Sequence, residues 1–171
     1  MQDKDLDLKI AACTQFMAGR PTPMALAAAH YQRGRGHALK SHYDEAISEY
    51  SDAIRINPDL MDAYYGRAII HEIRKETDAA VADLDRVIAL LEGLVAKKPT
   101  DALRQSISKV RQRRDGIKAN EQMHARWREY LEEIQARGDY PNWSAPPYDL
   151  YVERQKEKDK KQEAAAGGTR P

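Results

Sequence analysis

YQRGRGHALKSHYDEAISEYSDAI, from Tyr31 to Ile54, and YGRAIIHEIRKETDAAVADLDRVI, from Tyr65 to Ile88, are two copies of one pattern. Laid over each other at an offset of 34 residues, Tyr31 and Tyr65, Arg33 and Arg67, His37 and His71, Asp44 and Asp78, Ala46 and Ala80, and Ile54 and Ile88 are identical, while Leu39 over Ile73 and Ile47 over Val81 are near matches. A period of this length marks a solenoid, in which each unit buries its apolar face by stacking on a neighbour. Function in such folds lies in the surface presented, so the repeat indicates binding before it indicates any partner.

The matching positions have physical roles in a helix-turn-helix unit. Small Gly34 and Ala68 let the first helix approach its mate, and small Ala46 and Ala80 let the second helix pack back. Larger Tyr50 and Leu84 fill the space one turn later, with Ala53 and Val87 on the same face at i+3. Asn57-Pro58 closes the first unit, because proline cannot continue a helix. With Tyr43-Asp44-Glu45-Ala46-Ile47 ahead of them, these residues resemble the tetratricopeptide repeat (TPR) family over about Ala27 to Leu91. His30 and Tyr64 stand where the family has an early aromatic, and Glu92 replaces the terminal proline of the second unit, so its last helix is expected to run on to Lys98-Pro99.

The resemblance implies an all-α, short helical solenoid of about two full repeats with a preceding half-repeat. It also implies that first helices line a concave groove, which places Tyr31, Gln32, Arg35 and Leu39 beside Tyr65, Ile69, Glu72 and Ile73. Tyr31, Gln32, Arg35, Tyr65, Ile69 and Glu72 are the expected partner-binding residues, since tyrosine and arginine combine contact area with directional hydrogen bonds. One TPR subgroup grips chaperone C-terminal carboxylates with lysine and asparagine; those asparagines are missing here, so an extended or helical segment with apolar anchors fits better.

Ahead of the repeats, Ile10, Cys13, Phe16 and Met17 fall at helical spacing and predict a half-repeat over 3–17 that caps the first unit, with Cys13 buried among apolar neighbours. Ala18-Gly19-Arg20-Pro21-Thr22-Pro23 breaks this helix. The region 1–99 then holds the half-repeat and repeats at about 27–60 and 61–98. Thr100 is an N-cap signal for capping or interaction helices over 100–137, split by Asp115-Gly116 into Thr100 to Arg114 and Ile117 to Ala136. Residues 138–171 hold an extended aromatic and proline segment and a charged tail expected to be disordered. Trp143, Tyr148, Leu150 and Tyr151 form a candidate docking segment, because such apolar area normally covers a surface.

A formal net charge of +1 gives no global field toward nucleic acid or anionic membrane. No apolar run approaches a membrane span and the polar start is no signal peptide, which predicts a cytoplasmic protein, or a periplasmic or organellar one if the chain is a processed form. Cys13 is the single cysteine. Histidines 30, 37 and 71 sit at helix-packing positions without metal-ligand spacing, no glycine-rich phosphate loop follows a strand, and no nucleophile has an activating context. The expectation is therefore a protein-protein interaction module, a small adaptor or accessory subunit, with no enzyme activity, cofactor or metal. Two alternatives stay open: a homo-oligomer through Trp127, Tyr130, Leu131 and Ile134, and an RNA-associated protein using the basic cluster Lys109, Arg111, Arg113, Arg114 and Lys118.

Overall fold

Helices account for all regular structure among the described residues, which in this computed structural model are 2–137, 152 and 156–160. They are α1 (Gln2–Ala18), α2 (Pro23–Leu39), α3 (Tyr43–Ile56), α4 (Met61–Ile73), α5 (Thr77–Lys97) and α6 (Asp101–Arg137). The stretch with Trp143, Tyr148, Leu150 and Tyr151 lies outside the described residues. No described helix is long and apolar enough to cross a membrane. The chain forms two compact units, residues 1–118 and 119–171.

In the first unit, α2 with α3 and α4 with α5 are the helix pairs that the 34-residue period predicts. The first pair starts earlier than expected. Pro23 does not belong to the breaker but occupies the first helical turn, where its missing N–H costs nothing, and Thr22 caps α2 by accepting from the Ala25 amide. The two inter-helix turns are duplicates as well. Ser41 and Lys75 have φ of 59° at equivalent positions, and each is followed by a six-residue closure, His42 N–H to His37 C=O at 2.9 Å and Glu76 N–H to His71 C=O at 2.8 Å. This is the Schellman ending, built without glycine.

Two clusters of side chains make the core. Ala46, Tyr50, Ala53, Ala63 and Ile70 form one; Ala68, Leu84, Val87, Ile88, Leu91, Ile107 and Val110 form the other. Helix α4 feeds both, so it is the shared wall of the solenoid. Ala46, Ala53, Ala63 and Ala80 are completely buried at helix crossings, where any larger side chain would hold the backbones apart.

Helix α1 packs along α2. Ile10 fills the space over Gly36, where an added Cβ would lie 2.7 Å from its Cγ1, and Lys40 pairs with Asp7. Its seal is incomplete. Cys13 is only half-buried, while Leu8 and Phe16 are exposed, so the expectation of a buried cysteine between apolar neighbours fails: the surrounding alanines leave that face open.

The expected split at Asp115-Gly116 does not occur, and α6 runs unbroken from Asp101 to Arg137. A Cβ built at Gly116 meets nothing within 4 Å, so this glycine marks neither a turn nor a close approach. In the second unit, the Trp127 and Tyr130 rings lie 5.7 Å apart, centroid to centroid, and Glu133 pairs with Arg137.

Candidate functional site: the groove between first helices

Tyr50 sets the spacing of α2 and α4. Its ring lies between two glycines: a Cβ on Gly34 would come within 2.9 Å of Cδ1, and one on Gly66 within 2.8 Å of Cζ. Burial pushes the Tyr50 phenol up to about 12, with nearby Tyr31 adding to the shift and Arg35 opposing it. Tyr31 tilts against the same ring at 5.9 Å, and its phenol is also raised, by burial first and then by Asp62.

On each first helix an arginine at the repeated position ties two second helices together. Arg67 forks onto Asp83 through Nε and Nη2 at 2.9 and 2.8 Å, while its Nη1 donates to Ser51 Oγ on α3 at 2.8 Å. One repeat earlier, Arg33 Nη2 donates to Glu49 at 2.6 Å and Nη1 to Thr14 on α1 at 3.1 Å, and His30 joins at 2.9 Å. The hydrogen bond to Asp83 is the largest influence on Arg67 and raises its pKa further. Sequence reasoning passed over Glu49 and Asp83. They sit at the same 34-residue offset and are both acidic, a chemical match that comparison by identity does not register.

With α2 and α4 so fixed, their C-terminal halves and the start of α3 enclose a concavity of about 250 Å3, lined by Arg35, Ala38, Leu39, Tyr43, Tyr50, Gly66, Ile69, Ile70 and Ile73. Leu39 and Ile73, equivalent in the two repeats, are 67% and 53% exposed at its edge. Of the six expected groove residues, Arg35 and Ile69 line this concavity and Tyr31 adjoins it, with the Arg35 guanidinium 5.8 Å from the Tyr31 ring centre. The others lie elsewhere. Gln32 faces a second apolar hollow between α1 and α2, beside Cys13 and Phe16. Tyr65 and Glu72 lie against α6, where Arg113 pairs with Glu72 at 2.7 Å and reaches the Tyr65 hydroxyl at 3.4 Å.

Helix α6 packs Ile107 and Val110 into the cluster of the second repeat, with Leu84, Val87, Ile88 and Leu91. Its basic cluster is used within the unit: Arg111 pairs with Glu92 at 2.5 Å, Arg113 with Glu72, and Arg114 with Asp85 and Asp115, both at 2.8 Å. These side chains are held by α4 and α5 as well as facing solvent, which a reading of α6 as a solvated helix face alone does not capture. Of the histidines in the repeats, His30 and His71 are paired with carboxylates, whereas the buried His37 Nδ1 has no hydrogen-bond partner. His71 Nδ1 meets Glu76 at 2.5 Å, and the His37 ring lies 6.1 Å from that of His42. Among the described residues no three His, Cys, Asp or Glu side chains converge to hold a metal.

The family model described as a TPR repeat matches residues 27–72, from α2 to the end of α4. Residues 27–72 carry the tetratricopeptide-repeat pattern. Among solved structures, the crystal structure of MamA protein is 22% identical over 70% of this chain, with a TM-score of 0.39; the matched region is 61% of that chain. No curated protein sequence matches. TPR regions in general mediate protein-protein contacts, so the concavity between α2 and α4 lies on a fold whose ordinary work is recognition.

Proposed function

We propose that this TPR protein is a small adaptor or accessory subunit that binds a peptide or partner helix in the groove between α2 and α4. The observation that carries the reading is the pair Leu39 and Ile73. They occupy the same repeat position, and both hold an aliphatic side chain in solvent over an apolar floor of Tyr43, Tyr50, Ile69 and Ile70. A monomer gains nothing by exposing such side chains, whereas a partner that covers them gains about 25 cal/mol for each Å2 of apolar surface removed from water.

Size favours a peptide over a metabolite. About 250 Å3 is below the roughly 300–1,000 Å3 typical of small-molecule sites, and suits one or two inserted side chains. The role is non-catalytic, in keeping with the TPR as an interaction module. The arginine pairs on α6 favour this reading over RNA binding, since three of the five basic side chains in that cluster are already matched by carboxylates.

Replacing Ile73 with aspartate tests the proposal. The side chain is exposed, so helix content and melting temperature should hold, while affinity for a confirmed partner should fall at least tenfold, about 1.4 kcal/mol. Equal affinity of the Ile73→Asp and parent proteins would move the site elsewhere.

A further inference from the structure

The repeats contain six arginines, and five have a carboxylate: Arg33 with Glu49, Arg55 with Asp52, Arg67 with Asp83, Arg74 with Asp44, and Arg86 with Asp59. Arg35 is the exception among the described residues. It is exposed, its Nη1 donates only to the neutral Gln32 side chain at 3.3 Å, and its guanidinium lies 5.8 Å from the Tyr31 ring centre. The same residue lines the apolar concavity. A planar fork of donors, positioned on an aromatic ring and left without an anion at the edge of an apolar groove, is complementary to a carboxylate brought by whatever fills that groove.

We propose that the groove selects a peptide segment in which apolar anchors are flanked by an aspartate or glutamate, the anchors packing on Ile69, Ile73 and Leu39 and the carboxylate pairing with Arg35. This rests on the binding role proposed above. A side-chain carboxylate fits better than a chain terminus. Capture of a C-terminal carboxylate needs several convergent donors, and apart from Arg35 and the single Gln32 amide bonded to it, the groove offers only tyrosine hydroxyls. The acidic residue contributes selectivity through pairing and register, and the apolar anchors contribute most of the affinity.

The test uses the full chain and a library of random twelve-residue peptides displayed on phage. Selected sequences should share two apolar positions and one acidic position. In a synthetic consensus peptide, exchanging that acid for its amide should weaken binding at least tenfold. On the protein side, Arg35→Gln should weaken it to the same degree, and Arg35→Glu should reject the acidic peptide while accepting a lysine version; melting curves of both variants should match the parent because Arg35 is exposed. Peptides that require Ile73 but show no preference for an acid would overturn the carboxylate pairing and leave the groove reading intact. Selected peptides indifferent to Ile73→Asp, or no selection at all, would overturn both. Concentration-dependent self-association abolished by Ile73→Asp would assign the groove to a second copy instead and overturn the peptide.

Discussion

Asp83 is the one charged residue buried among the described residues, and the Arg67 fork is what makes its position tenable. Arg67→Ala leaves that carboxylate without its partner and Ser51 without its donor. Because Arg67 itself is partly exposed, the expected loss is about 2–3 kcal/mol, below the roughly 3–5 kcal/mol of a fully enclosed pair. Arg55→Ala, at an exposed pair with Asp52, should cost no more than about 1 kcal/mol. Urea midpoints at constant slope would show the contrast, and similar losses would contradict it. Tyr50 gives a second residue-scale expectation, with a definite sign. Burial pushes its phenol up to about 12 from the ordinary 10.0, so the folded state keeps a proton that the unfolded chain releases. This stabilisation is complete below pH 10 and is lost as pH rises from 10 toward 12. Tyr50→Phe should flatten that part of the stability profile, and an unchanged profile would show that the phenol is solvated. Sequence alone shows small Gly34 and Ala68 on the first helices and larger Tyr50 and Leu84 one turn after the small Ala46 and Ala80 on the second. It does not show that Gly66, outside the matched pairs, forms the second wall of the tyrosine slot.

At the scale of elements, the 34-residue period locates α2 to α5, because packing of small against large side chains recurs wherever helices cross. It cannot locate features that the repeat does not duplicate. Asp115-Gly116 reads locally as a turn, yet α6 passes through it. Glycine within a helix costs about 1 kcal/mol relative to alanine, and that cost is outweighed when Ile107 and Val110 on one side and the continuing hydrogen-bond ladder on the other hold the segment helical. Gly116→Ala should therefore stabilise the protein by about 0.5–1 kcal/mol, seen as a raised melting temperature; a turn with positive φ at this position would give the opposite sign. The same helix explains why Tyr65 and Glu72 have partners within the unit. The family resemblance puts both on a concave face, but Arg113 comes from a helix outside the repeat and claims them. Local pattern carries no information about which later element returns to cover a surface.

At the scale of the whole first unit, stability should be graded along the chain. A solenoid is a sum of units and nearest-neighbour interfaces, so the element with two packed faces is the hardest to open. That element is α4, which supplies Ala63 and Ile70 to one cluster and Ala68 to the other. Helix α1 stands at the opposite extreme. It packs on α2, leaves Leu8 and Phe16 in solvent, and is held by Ile10 over Gly36, by the exposed Lys40 to Asp7 pair and by Thr14 to Arg33. Surface pairs of this kind contribute about 1 kcal/mol or less, so Ile10 is the main anchor. Native-state hydrogen exchange should accordingly find the slowest amides in α4 and α5 and the fastest helical amides in α1. Removal of residues 1–20 should lower the melting temperature and speed exchange in α2 and α3, while leaving protection in α4, α5 and the Asp101 to Lys118 part of α6 nearly unchanged. If that truncation instead erased protection throughout the unit, α1 would be an integral part of one cooperative core and not a weakly held end helix on α2.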